Sequence, residues 1–141
     1  MYLAPEKNVY LRLITSHEVA RIVGFQVYAI AVPKGASIPF IVFKRAGIVR
    51  ESALAGPLFM PVVSLQVSCW GLTHDAAREL SDAVRLTLDG HIGEAAGVRI
   101  DDMRLISEVD DFIDPSEVLF KQKTAYEVRQ IYSIRWQEAT G

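Results

Sequence analysis

Three histidines, one cysteine and a short run of carboxylates are the residues of this chain best equipped for chemistry. His17, His74 and His91 lie far apart and share no motif, and HExxH, CxxC and GxSxG spacings are all absent. The patterns that pair a metal with a base, or seat a nucleophile on a strained turn, are therefore missing. Cys69 stands on the apolar side of an alternating segment, where a thiol behaves as a small hydrophobe. As the single cysteine it can form neither an internal disulfide nor, by itself, a zinc site. Asp110, Asp111, Asp114 and Glu117 gather four carboxylates in one stretch, the donor chemistry of a hard cation site. The stretch lacks the glycine and the regular alternate spacing of a calcium loop and reads as a solvated acidic turn. Asp101 and Asp102 are adjacent, and neighbours on a strand point to opposite faces, so they do not make an acid and base pair.

One turn remains as a candidate ligand site. In SLQVSCWGLTHDAAREL, residues 64–80, a strand runs into a helix through Gly71 and Leu72. A phosphate cradle needs several glycines with converging amides, and Asp75 at the helix start would repel the anion. Thr73 instead has the position of a helix cap, with Asp75 placed well at the positive end of the helix dipole. The residues taken alone assign no catalytic group, no cofactor and no metal.

The elements that would position these residues follow from periodicity. Val9, Leu13, Val19 and Ile22 recur at helical spacing and Gly24 follows, which predicts one helix over residues 6–23. Residues 25–32 and 39–46 are rich in β-branched and aromatic side chains and are separated by the breaker PKGASIP, giving two strands. The third strand, 62–70, alternates Val63, Leu65, Val67 and Cys69 against Ser64, Gln66 and Ser68, the signature of a sheet with one polar face. The next helix presents Ala76, Ala77, Leu80, Ala83, Val84, Thr87 and Leu88 on one stripe and ends at Gly90. Its outer face offers Arg78 with Asp82 and Arg85 with Asp89 as pairs four apart. Strands follow at 98–109 and 124–136, joined through a turn at Asp114, Pro115 and Ser116. The connection from Gly47 to Pro61 is unusually apolar. Leu54, Leu58, Phe59 and Met60 must bury either under the domain's own core or against another chain, and the residues leave both open.

A chain of 141 residues fits one domain, 1–141, with a core of its own. No apolar run approaches the ~20 residues of a membrane span, and the first residues lack the layout of a secretion signal, so a cytoplasmic origin is expected. The net charge of -2 is unevenly spread. Residues 1–70 carry seven Lys or Arg against three acids, about +4, and residues 71–141 carry eight against fourteen, about -6. Such asymmetry steers copies head to tail, or vanishes if folding mixes the charges.

The order of these patterns, α-β-β-β-α-β-β, resembles the tail completion (tail terminator) proteins of long-tailed phages, with relatives in prophages and gene transfer agents. The likeness runs from about residue 6 to 137. It is carried by Pro33 with Ile38, Pro39 and Phe40, by Gln66, Val67, Cys69 and Trp70 leading to Leu88, Asp89 and Gly90, and by Tyr132, Ile134 and Trp136. What the resemblance implies is an α+β fold, a mostly antiparallel sheet of about five strands with two main helices on one face. It also implies a non-catalytic role: a homo-hexameric ring on the head-proximal end of the tail tube that halts tube growth and presents a surface to the head. The implied partners are further copies of the chain, the tail tube protein and the head-tail connector protein. DNA would pass through the lumen without sequence-specific binding, and no membrane or cofactor is involved. The implied place is the tail of a particle assembled in the bacterial cytoplasm. On that reading Leu54, Leu58, Phe59 and Met60 are apolar anchors to a neighbour or the tube, and Lys44 and Arg50 pair with Asp110, Asp111 or Asp114 of the next subunit, with loops 47–61 and 110–121 reaching outward. Two other readings are a different head-tail joining protein of the same particle, and an enzyme whose pocket is lined by His91 and the acidic loop.

Overall fold

The computed structural model describes residues 4–49, 52–53, 56–57, 61–113 and 125–137. Pro5 opens the first helix, α1 (Pro5–Thr15), at a position where the missing amide costs nothing. The expected single helix is two. Ser16 takes an extended backbone, its N–H bonding Leu13 O, and α2 (His17–Val23) starts with the Ser16 hydroxyl accepting from Val19 N. That hydroxyl also lies 3.0 Å from Thr87 Oγ1 on the third helix, which fixes the bend. The sequence Ser-His-Glu is an N-cap signal, masked in the sequence pattern by apolar spacing that continues through it.

The first strand, β1 (Val27–Ala29), is shorter than residues 25–32 because Ile30 has a φ of 69°, which no strand continues. After residues 30–39, with a cis Ile38–Pro39 peptide, β2 (Phe40–Val49) runs parallel to β1. Two short strands, β3 (Ser52–Ala53) and β4 (Gly56–Pro57), pair with each other. Then come β5 (Val62–Gly71), α3 (His74–Leu88), β6 (Gly93–Ala95), β7 (Val98–Ile113) and β8 (Ala125–Gln137). Among the described residues the main sheet has six strands rather than five, in the order β1-β2-β5-β8-β7-β6, antiparallel except for β1 with β2. The layers are nevertheless those of an α+β fold, with three helices over one face.

Alternation explains the core. Val63, Leu65, Val67 and Cys69 of β5 and Tyr132, Ile134 and Trp136 of β8 meet Leu80, Ala83, Val84 and Leu88 of α3 and Val9, Leu13, Val19 and Val23 of α1 and α2. Burial drives the Cys69 thiol pKa far up, so it is inert. The opposite face carries a smaller cluster at one end, in which Tyr28 and Trp70 pack on Phe40. Register shifts at Ile100/Asp102 and Leu105/Ser107 bend β7. Thr73 caps α3 as its position suggests, accepting from Ala76 N at 3.0 Å.

Candidate functional site

Charged residues of opposite sign lie on separate strands of the sheet. Lys44 and Arg45 are on β2, whereas Asp101, Asp102, Glu108, Asp110 and Asp111 are on β7, three places away in the order β1-β2-β5-β8-β7-β6. The helices mix the two sequence halves, with Arg21 of α2 pairing with Glu79 of α3 at 3.2 Å.

At the acidic side, β7 continues to Ile113, so Asp110 and Asp111 sit on a strand paired with β8 rather than in the expected loop. The outer helix pairs anticipated for Arg78 and Arg85 do not form as expected. Arg78 reaches across to Glu108 and to Asp110, the latter at 3.1 Å, and Arg85 approaches Asp82 at 3.8 Å. For Arg78, the carboxylates of the long neighbouring strand outcompete the one a helical turn away. Asp110 Oδ2 also lies 2.9 Å from His74 Nε2, and the bond from His74, with help from Arg78, holds its carboxyl below the usual range. Asp111 is 3.8 Å from Arg129, which is held by Glu127 at 2.9 Å. Four carboxylates, Glu108, Asp110, Asp111 and Glu127, thus face two guanidinium groups. The cluster keeps an excess of negative charge.

β7 also has an open edge. β6 pairs only with Val98–Ile100; beyond that, Gly90 N bonds Met103 O and Asp89 Oδ1 accepts from Leu105 N. From Ile106 onward no described strand covers this side, and Ile106, Val109 and Phe112 are largely exposed. An open, partly apolar strand edge is a surface prone to pairing.

At the basic side, a cavity of about 780 Å³ lies between α1 and the β1–β2 edge, with Tyr10, Leu11, Ile30 and Phe43 among its walls and Lys7 and Lys44 at its polar margin. Lys44 is on β2, within the strand expected at 39–46, and is exposed. Glu6 pairs with Arg45 at 2.7 Å beside it. His91 does not line this cavity. It binds Asn8 Oδ1 at 3.2 Å, while Asn8 donates to Val98 O and Gly93 O, so the histidine helps tie α1 to the β6–β7 hairpin. Asp101 and Asp102 are separately engaged by Arg99 and Arg104 at 3.1 Å each. Arg50, Leu54, Leu58, Phe59, Met60 and Asp114 lie outside the described residues. Of the expected contact residues, the structure places Lys44 on one half of the sheet and Asp110 and Asp111 on the other. The cavity beside Lys44 was not legible, because its walls come from a helix and a strand more than twenty residues apart.

The family described as tail completion protein gp17 matches residues 7–130. The chain belongs to that family. It is a structural protein of a phage-type tail, not an enzyme. No curated protein matches the sequence. Among solved structures, a chain from "Virion of native gene transfer agent (GTA) particle" has a similar fold, with a TM-score of 0.71 and 17% identity, covering 92% of this chain and 91% of that one. Among the described residues the fold displays an apolar cavity, a charged cluster and an open strand edge.

Proposed function

We propose that this tail completion family member forms a ring, a homo-hexamer, that caps the head-proximal end of the tail tube, ends tube growth and offers the surface to which the head attaches. The observation that carries the ring is the placement of opposite charge on separate strands of one subunit: Lys44 on β2, and Glu108, Asp110 and Asp111 on β7. Unlike patches that complement each other make heterologous contacts, and those form a ring where the rotation between subunits closes. In this reading Lys44 and Arg50 face Asp110, Asp111 or Asp114 of the next subunit. The apolar segment with Leu54, Leu58, Phe59 and Met60 anchors a neighbour or the tube. The tail tube protein and the head-tail connector bind the two ends of the ring, and DNA passes through the lumen without sequence-specific contact. The solved chain of similar fold is part of the virion of a gene transfer agent particle, a setting that agrees with this role.

The experiment is light-scattering mass of the purified chain with and without tail tubes, alongside Phe59→Asp. A mass of six subunits on tube ends, lost in a folded Phe59→Asp variant, is the expected result. Normal assembly of that variant removes the anchor role. Binding to DNA-filled heads but not to tubes makes the chain a head-side adaptor instead.

A further inference from the structure

Ile30 is held in a conformation that its own fold does not reward. Its φ of 69° lies in the left-handed region, which β-branched side chains avoid, and its N–H is fixed to Phe43 O at 2.8 Å. The side chain so held is 76% exposed. Strain that places an apolar side chain in water brings no burial within the subunit, and strained residues cluster at functional positions such as ligand clamps and switch regions. Ile30 borders the α1/β1–β2 cavity, whose walls are almost wholly apolar and whose margin carries Lys44.

We infer that this cavity receives the far end of β7 of a second copy, with Phe112 inserted between Ile30, Tyr10 and Leu11 and Asp111 set against Lys44. The inference rests on the ring reading above and assigns it a knob and a hole. Three observations carry it. Phe112 is 59% exposed near the last described residue of β7, on an edge without a strand partner among the described residues. The charge beside it is negative in excess, from Glu108, Asp110, Asp111 and Glu127 against Arg78 and Arg129, whereas at the cavity Glu6 answers Arg45 and Lys44 adds positive charge. Finally, the two surfaces are separated within one subunit. Phe112 is not among the residues lining its own subunit's cavity and lies instead beside Tyr126, with ring centroids 6.3 Å apart. A subunit therefore fills its neighbour's cavity and offers its own to the next.

The test uses the full chain assembled on tail tubes. A variant carrying both Ile30→Cys and Phe112→Cys, oxidised after assembly, should give a ladder of covalent multimers, and each single variant none; buried Cys69 stays unreactive. Ile30→Asn, which suits the left-handed backbone, should leave the melting temperature of the free subunit undiminished and raise the concentration needed for assembly at least about tenfold. Assembly by light scattering without a ladder, together with normal assembly of Ile30→Asn, overturns the cavity assignment and leaves the ring standing. Failure of the unaltered chain to form any ring overturns both.

Discussion

The Tyr132 hydroxyl donates to Gln130 Oε1 at 2.8 Å inside the core, and Gln130 Nε2 in turn donates to Ser81 O at 2.9 Å and Glu108 Oε2 at 3.1 Å. Gln130 is fully buried, and its three bonds join α3, β7 and β8. Such an amide costs little while satisfied and much when its partners are orphaned. Gln130→Leu should lower stability by about 2 kcal/mol, whereas Tyr132→Phe, which removes a donor and leaves one acceptor bond unmade, should cost about 1 kcal/mol. Thermal melting of both variants checks the order.

Gly71 is required by proximity, not by backbone angle. A Cβ there would lie 2.6 Å from Ala77 N and 3.0 Å from Ala76 C, both backbone atoms at the start of α3 that cannot step aside. Gly71→Ala should therefore cost about 1–3 kcal/mol through overpacking. Gly47, whose Cβ would meet nothing within 4 Å, is the control: Gly47→Ala should shift stability by less than about 0.5 kcal/mol. Denaturant midpoints distinguish the two.

Much of the fold was legible because it depends on local period. Alternation over 62–70 gave β5 and its buried face, and the 3.6-residue stripe with Thr73 and Gly90 gave α3 nearly to the residue. What was missed is set by long-range contact. Ser16 breaks the first helix because Thr87, 71 positions away, meets its hydroxyl. β7 runs on through Asp110 and Asp111 because β8 supplies Val128 and Glu127 as partners, although the acidic composition reads as a loop. For the contact surfaces, Lys44 and the Asp110–Asp111 pair were visible in the sequence, but their separation on β2 and β7 follows from strand order and could not be read before the topology was known.

His91 and Asp110 give separate pH windows. Burial, with Arg12 nearby, lowers the His91 pKa from 6.5, so the folded chain favours the neutral ring. Its contribution is full above the ordinary imidazole value and is lost as pH falls from about 6.5 through the lowered folded value. Asp110 is also lowered, from 3.8, through His74 and Arg78; its contribution persists above the ordinary carboxylate value and goes as pH falls through the folded one. His91→Gln should flatten the stability profile below about pH 6.5, and Asp110→Asn should flatten it only at the acid end. Melting temperatures measured along a pH series separate the two.

Lys44 lies on β2 and Asp111 on β7, separate strands of the sheet, so a contact between subunits can bring them together without changing either fold. Reversing one charge sets like against like at the interface, while reversing both restores attraction. Lys44→Glu and Asp111→Lys should each weaken assembly roughly two- to tenfold, and the double variant should recover most of the loss. Asp111→Lys also faces Arg129 within its own subunit, 3.8 Å from the present carboxylate, so its monomer melting temperature is measured alongside. The effect should shrink at about 1 M salt, where the Debye length falls to ~3 Å. Additive losses in the double variant, with both monomers still folded, would place these two residues apart in the assembled particle.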